Sequence, residues 1–195
     1  MNTRLRIFMT GVGGQGTLTA TNLLAQAILD NGTDVTAGEI HGMAQRGGVV
    51  ESAILLGMSS PKISHGEADI ILGFEPLETL RALPYLKPGG IILSNTESIP
   101  PLSVATGKTD EVPLEYIKEK VSSCASKTYF IPCQSLGLKA GAVQSGNVAL
   151  LGALCATGLI PLSPENLAET IKSVMKPKVA DINITALKLG VDAIS

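Results

Sequence analysis

Short apolar runs, each bounded by turn residues, recur along the first two thirds of the chain and are typical of β-strands. Residues 68–74 are the clearest example, because the run is almost wholly apolar, as in a strand buried on both faces. The same pattern predicts strands at 5–9, 35–40, 49–56, 68–74, 91–95 and 128–132.

Apolar positions at helical spacing lie between several of these runs and predict helices at 17–30, 75–86 and 114–124. Pro84 is expected to shorten or kink the second of these helices. We expect a turn at 87–90 and a loop or sheet edge at 96–112. After Gly146 the pattern is helical throughout, with helices at 147–157, 164–175 and 179–194. This order predicts the α/β class: a three-layer α/β/α Rossmann-like domain with a mostly parallel sheet and a C-terminal helical segment at about 146–195. The 195 residues fit a single domain, 1–195.

Composition narrows the class of protein. Hydrophobic residues make up 45% of the chain and aromatic residues only 3%, so the core is aliphatic. The formal charge is −2, no Lys/Arg-rich run occurs and Trp is absent, so we expect no nucleic-acid partner. No apolar run approaches the roughly 20 residues that span a bilayer, and the first residues show no signal-peptide pattern. We therefore expect a cytoplasmic protein without a membrane partner.

The cysteines and histidines form no metal-binding motif. Cys124, Cys133 and Cys155 lack CxxC spacing, and with His41 and His65 they make no zinc or iron–sulfur ligand set. We predict no metal on this chain, so any redox centres belong to another chain. Cys133 follows a strand end, where it is either an exposed thiol or a small apolar filler, and His65 is expected at the surface.

The run Gly11-Val12-Gly13-Gly14-Gln15-Gly16 lies between the first strand and the first helix. Glycines there permit a tight turn, and the helix N-terminus offers free N–H groups to an anion. The spacing matches the dinucleotide fingerprint, although Glu39 is the single candidate for its ribose-binding acid. The run therefore either binds a phosphate-bearing ligand or only permits close helix–strand packing. The candidate ligand-binding residues are Gly11, Gly13, Gly14, Gln15, Gly16 and Thr17.

A second run, His41-Gly42-Met43-Ala44-Gln45-Arg46-Gly47-Gly48, combines an imidazole, a guanidinium and three glycines. Arg46, flanked by Gly47 and Gly48, is suited to hold a phosphate or carboxylate through two parallel hydrogen bonds. A partner interface or a surface loop explains the run equally well. His41 is a candidate acid or base, because its pKa is ordinarily near neutrality, or else a structural hydrogen-bonding residue.

Together the two runs resemble the beta subunits of indolepyruvate:ferredoxin oxidoreductases. These correspond to the gamma subunit or domain of the wider 2-oxoacid:ferredoxin oxidoreductases. The resemblance extends over essentially the whole chain, although residues 96–126 contribute nothing to it. The residues that carry it are Gly11–Gly16, Glu39–Gly48, Ala68–Asp69, Glu75–Glu78, Gly146–Leu154 and Ala186–Gly190.

The resemblance implies a subunit that is inactive alone. In such complexes a larger partner carries thiamine diphosphate, Mg and the iron–sulfur clusters. The complex converts an aryl 2-oxoacid and coenzyme A to an acyl-CoA, carbon dioxide and reduced ferredoxin. The two glycine-rich runs are then expected at the coenzyme A site, the thiamine-binding partner or the subunit junction. The alternatives are a stand-alone Rossmann-type dinucleotide-binding protein and a scaffold subunit that touches no small molecule.

Overall fold

The computed structural model describes residues 4–41, 48–60, 62–98 and 110–194. Six strands form one sheet: β1 Leu5–Val12, β2 Val35–His41, β3 Val49–Leu56, β4 Ala68–Gly73, β5 Leu86–Asn95 and β6 Lys127–Ile131. The α-helices are α1 Thr17–Asp30, α2 Pro76–Arg81, α3 Leu114–Cys124, α4 Cys133–Ala140, α5 Gly146–Ala156, α6 Pro164–Val174 and α7 Pro177–Asp192. Two short 3₁₀ turns lie at Leu83–Tyr85 and Val143–Ser145.

The strand order across the sheet is β2-β3-β1-β4-β5-β6. Strands β1, β4, β5 and β6 are parallel, so their carboxyl ends meet at one edge of the sheet. We call this the carboxyl edge. The mostly parallel sheet, the α/β/α layers and the C-terminal helices confirm the predicted fold class.

Strands β2 and β3 are the exception to parallel pairing. They form an antiparallel hairpin, and β3 pairs antiparallel with β1. Because β3 runs back beside β1, the connection between His41 and Val49 returns to the carboxyl edge, where the loop after β1 also lies. The hairpin therefore brings the two glycine-rich runs of the sequence to one edge.

The core has two aliphatic layers on opposite faces of the sheet. Alternation along β1 sends Ile7 and Met9 to one face and Phe8 to the other. The larger layer packs against α1 and the C-terminal helices, and α5 is buried along almost its whole length. The smaller layer packs against α3, through Ile117 and Val121.

At three places the structure refines or corrects the local predictions. The helix predicted at 75–86 ends at Arg81, which agrees with the expected shortening at Pro84: proline lacks an N–H and lies in a 3₁₀ turn here. Residues 87–90, predicted as a turn, belong to the first half of β5. Helix α4 was not predicted; Gly137 stands within it, where an added Cβ would lie 2.6 Å from the carbonyl oxygen of Val143.

Candidate functional site

The candidate site lies at the carboxyl edge, between the ends of β1 and β4. The chain leaves β1 toward β2 and β3 on one side, and β4 leads to β5 and β6 on the other. Such a reversal of strand order opens a crevice outside the strand ends, where α/β proteins commonly bind ligands. The loop Gly13–Gly16 occupies this position.

The loop is held by the side chain of Gln15. Its Oε1 accepts a hydrogen bond from Val12 N at 2.9 Å, and its Nε2 donates to the carbonyl oxygen of Phe74, just after β4, at 3.0 Å. The backbone N–H of Gln15 also donates to Val12 O. Gln15, a candidate ligand residue, therefore braces the loop across the crevice between β1 and β4.

The glycines of the run have different functions. Gly11 lies within β1, and a Cβ there would be 2.7 Å from Thr17 Oγ1, so this glycine permits α1 to pack closely on the strand. Gly14 has φ +104° and Gly16 has φ +76°, conformations that L side chains rarely adopt. An added Cβ on Gly14 would meet nothing within 4 Å, whereas one on Gly16 would lie 2.5 Å from Asn147 Nδ2.

Helix α1 begins without a side-chain cap. Its N-cap residue is Gly16, no acidic residue lies in the first turn, and the carbonyl of Gly16 accepts from Ala20 N and Asn147 Nδ2. The first N–H groups of a helix have no intrahelical acceptor. Thr17 Oγ1 is buried and has no hydrogen-bond partner within the described ranges. The positive end of the α1 dipole is thus open to an anion at Gly14–Gly16.

The second glycine-rich run reaches the same place. Gly13 N donates to the carbonyl oxygen of Gly48 at 2.9 Å, and Gly48 directly precedes β3. His41 ends β2, where its backbone pairs with Val50. Arg46 and Gly47 lie outside the described residues. Both ends of the segment between His41 and Gly48 are therefore fixed at the carboxyl edge.

Two cavities border the loop and share Gly14, Gln144 and Asn147. The smaller, of about 140 Å³, extends over the ends of β4 and β5 and has Gln15, Asn95 and Gln134 in its wall. The larger, of about 390 Å³, lies between the α1 N-terminus and α7 and has Met175 and Ile182 in its wall. No Lys, Arg, Asp or Glu side chain lines either cavity within the described part of the chain.

Asn95 is the central residue of an amide network that the sequence analysis missed. Its Nδ2 donates to the carbonyl oxygens of Phe74 and Glu97 and to Gln134 Oε1, at 2.8–2.9 Å. Its Oδ1 accepts from Glu97 N and from Cys133 N, the first residue of α4. The carbonyl oxygen of Phe74 therefore accepts hydrogen bonds from both Gln15 and Asn95. A polar residue at the end of an apolar strand was the available sequence signal.

A group of carboxylates lies where α2 begins beside the carboxyl edge. Glu75 is the N-cap of α2: its Oε2 accepts from Glu78 N at 2.9 Å and its Oε1 from Ser98 Oγ at 3.0 Å. Burial raises the pKa of Glu75 above its ordinary value, and it also raises the pKa of Glu51, to which the charge of Glu78 adds. Glu78 is paired with Arg81 at 2.7 Å.

The strand order places Glu39 away from the glycine loop. In a dinucleotide-binding Rossmann fold the acid follows a strand adjacent to β1. Here β3 lies between β1 and β2, so Glu39 is two strand spacings, or about 10 Å, from β1 across the sheet. The glycine spacing of the dinucleotide fingerprint is therefore present, but Glu39 is not in the position of its ribose-binding acid.

Cys133 lines the smaller cavity, whereas His65 lies at the surface. Cys133 is buried, and burial raises the pKa of its thiol. Of the two alternatives, an exposed thiol and a small apolar filler, the structure fits the filler. His65 is exposed and contacts the Tyr85 ring edge-on. Among the described residues, no group of three or more His, Cys, Asp or Glu side chains is placed to hold a metal ion. No described helix is long and apolar enough to cross a membrane.

The fold and the glycine loop define an α/β protein with a crevice at the carboxyl edge, and comparison with known proteins gives its family. The family model described as pyruvate ferredoxin/flavodoxin oxidoreductase matches residues 6–193, and the chain belongs to this family. The indolepyruvate oxidoreductase subunit IorB of Pyrococcus horikoshii is 43% identical over 190 residues, which are 96% of this chain and 94% of that protein. The predicted role of an oxidoreductase subunit is thereby confirmed.

Solved structures share the fold. The pyruvate oxidoreductase subunit PORC of Thermotoga maritima has a TM-score of 0.73 at 23% identity, covering 97% of this chain and 96% of that chain. The 2-oxoglutarate:ferredoxin oxidoreductase of Magnetococcus marinus, solved with 2-oxoglutarate, coenzyme A and succinyl-CoA bound, has a TM-score of 0.74 at 18% identity. That match covers all of this chain and 31% of the other, so the same fold occurs there as one part of a longer chain.

Proposed function

We propose that this chain is the thiamine-free, cluster-free subunit of an indolepyruvate:ferredoxin oxidoreductase. The observation that carries the proposal is the 43% identity to IorB along nearly the full length of both chains. In the proposed complex residues 1–195 act as one gamma-type domain, and a larger partner binds thiamine diphosphate, Mg and the iron–sulfur clusters. Ferredoxin accepts the electrons, and we assign the complex to the cytoplasm, where free thiols such as Cys133 stay reduced.

The proposed role of the glycine loop is to hold the phosphate end of coenzyme A at the carboxyl edge. Support comes from the uncapped N-terminus of α1, the positive φ angles of Gly14 and Gly16, and the two bordering cavities. Backbone N–H groups there are suited to donate to phosphate oxygens. Because the described walls of both cavities lack charged side chains, the proposed phosphate needs a cation from elsewhere. Arg46, in the segment between His41 and Gly48, is the candidate, with Gly47 and Gly48 beside it.

The chemistry of the reaction belongs to the partner, and this chain binds and orients. Thiamine diphosphate, when bound by the partner, supplies the carbanion chemistry that decarboxylates the oxoacid. The residues of this chain then fix one end of the second substrate, so that its reactive end reaches the partner with less loss of entropy. Because His41 ends β2 at the same edge, it is retained as a candidate acid or base.

Co-purification tests the subunit assignment. A tagged chain expressed in its native cell is expected to bring down a larger subunit that carries thiamine diphosphate and iron, with indolepyruvate-dependent reduction of ferredoxin. The isolated chain is expected to be inactive. Recovery of an active lone chain, or of a lone chain without any thiamine-binding partner, would sink the assignment.

Substitution of Arg46 tests the role at the carboxyl edge. In the reconstituted complex, Arg46→Ala is expected to raise the KM for coenzyme A roughly tenfold or more, as expected for loss of a charge-assisted contact. The matched control is Arg4→Ala, because Arg4 is exposed and precedes β1 at the opposite edge of the sheet. Unchanged Michaelis constants in Arg46→Ala would favour the scaffold subunit instead.

A further inference from the structure

Four exposed apolar side chains lie on the C-terminal helices and the turn that surround the two cavities at the glycine loop. Val143 lines the smaller cavity and Val179 the larger, Val174 precedes Met175 of the larger cavity, and Leu138 lies on α4, which packs against α7. Their exposed fractions are 67% for Leu138, 44% for Val143, 56% for Val174 and 48% for Val179. We call these four residues the apolar patch. Single exposed apolar side chains are ordinary, but a group of them marks an interaction surface.

The two cavities connect the patch to the carboxyl edge through Val179 in the larger cavity and Val143 in the smaller. The wall of the larger cavity contains Val179 and Met175 on one side and Gly14 and Gly16 of the glycine loop on the other. The end of α4 joins the same surface, because a Cβ on Gly141 would lie 3.7 Å from Ile182 of α7. A molecule seated on the patch therefore lies beside the glycine loop.

Lysines outnumber acidic residues in the two segments that contain the patch, although the whole chain has a formal charge of −2. Lys139, Lys176 and Lys178 are exposed within segments 138–143 and 174–182, where Asp181 is the acidic residue. One further carboxylate, that of Glu97, reaches α4, where it accepts from Ser135 N. The N-terminus of α7 adds a partial positive charge at Pro177. An apolar centre with a charged rim is the usual composition of a protein–protein interface.

We propose that the apolar patch is the docking surface for the larger, thiamine-binding subunit, through a complementary surface of apolar side chains rimmed by carboxylates. This inference rests on the proposed function. A ligand held at the glycine loop reacts on the partner, so the partner must approach the carboxyl edge, and the patch is the apolar surface that adjoins this edge. The lysine rim selects a partner surface of opposite charge and speeds association.

Aspartate substitutions in the full-length chain test the docking surface. Leu138→Asp and Val179→Asp are each expected to weaken binding to the purified larger subunit by about tenfold or more, as at a buried interface contact. The matched control is Leu29→Asp: Leu29 is 53% exposed at the C-terminal end of α1, near the opposite edge of the sheet. The control is expected to bind within about twofold of wild type. Thermal unfolding of each variant checks that the fold is kept.

Charge reversal tests the rim. The double variant Lys139→Glu with Lys178→Glu is expected to lower the association rate most at low ionic strength, because salt screens charges at the surface. Lys62→Glu, an exposed lysine before β4, serves as control. If the association rate does not depend on salt and is equal in wild type and the double variant, the lysines do not contribute to docking, and the proposed role of the rim is wrong.

The outcomes separate this inference from the function on which it rests. Failure of the wild-type chain to bind the larger subunit overturns the proposed function. Wild-type binding that Leu138→Asp and Val179→Asp leave unchanged overturns the docking surface alone. A self-association of the isolated chain that these variants abolish, with partner binding intact, makes a second copy of this chain the occupant and also overturns the proposal.

Discussion

At the scale of single residues, Gln15 shows how the glycine loop keeps its shape. One side chain joins Val12 to Phe74, so the loop is tied to two neighbouring strands at once. Asn95 donates to the same carbonyl oxygen and carries the connection to Gln134. The loop before α1 is therefore held in place by hydrogen bonds, which would reduce the cost of ordering it when the proposed phosphate group binds.

The substitution Gln15→Glu removes one of the two hydrogen bonds of Gln15, the one to Phe74 O, and keeps the one from Val12 N. One carboxylate oxygen of the variant still accepts from Val12 N. The other replaces the amide N–H donor, so it cannot donate to Phe74 O and faces the lone pairs of that carbonyl oxygen. We expect the free energy of unfolding to fall by about 1 kcal/mol, because Asn95 still satisfies Phe74 O. We also expect a higher KM for coenzyme A, since a negative charge enters the proposed phosphate site. Denaturant unfolding and steady-state kinetics measure the two effects, and an unchanged KM contradicts the second.

Glu75 is expected to make stability depend on pH. Its pKa is higher in the folded chain, mainly because of burial, so the folded state holds the proton more tightly than the unfolded state. The unfavourable burial of charge is absent below the ordinary pKa of 4.5 and fully present above the raised value. The free energy of unfolding should therefore fall as pH rises through this window.

Glu75→Gln tests this pH dependence. The amide oxygen can accept from Glu78 N and the amide N–H can donate to Ser98 Oγ, so the cap is preserved without the charge. We expect the variant to gain stability relative to wild type as pH rises, in denaturant titrations from mildly acidic to mildly alkaline solution. Glu119→Gln, at an exposed position on α3, is the control. Parallel pH profiles for wild type and Glu75→Gln contradict the assignment.

At the scale of elements, the C-terminal helices pack backbone against backbone. An added Cβ on Gly152 of α5 would lie 2.2 Å from Leu187 O, and one on Gly190 of α7 would lie 1.8 Å from Ala149 O. The two helices approach this closely because each has a glycine at the crossing. The orientation of α7 relative to α5, and with it the position of Val179 beside the glycine loop, depends on this contact.

Gly190→Ala should therefore destabilise the protein, opposite to the usual effect of alanine in a helix. Alanine ordinarily favours a helix over glycine by about 1 kcal/mol. Here the methyl group meets a backbone carbonyl, and overpacking of this kind costs about 1–3 kcal/mol or more. Thr185→Ala, exposed on the same helix, is expected to change stability little. Unfolding titrations compare the two, and a stabilised Gly190→Ala contradicts the close packing.

At the scale of the whole molecule, burial in the larger core layer decides which thiols are reactive. Cys133 and Cys155 are buried, and burial raises the pKa of Cys155 to about 12, whereas Cys124 is exposed. Thiolates react and thiols do not. We expect one fast-reacting thiol per native chain and three after unfolding, counted with a chromogenic disulfide reagent. Cys124→Ser should abolish the fast phase, and a fast phase that persists contradicts the burial of the other two.

The sequence by itself determined the class of fold and the place of the loop. A run of glycines between an apolar strand and an amphipathic helix, Gly11–Gly16, is a local pattern, and local patterns fix where elements begin and end. The helix predicted at 114–124 and the start of the helix predicted at 164–175 are correct for the same reason. Family resemblance came from motifs of this kind, above all Glu39–Gly48.

Only the tertiary structure decided what lies beside the loop. The antiparallel β2–β3 hairpin, which brings Gly48 to Gly13 and separates Glu39 from β1, depends on strand pairing between distant segments. The same is true of the Asn95 network and of Asn147 at Gly16, which lie far apart in the sequence. Such contacts are set by the packing of whole elements, and no local propensity encodes them.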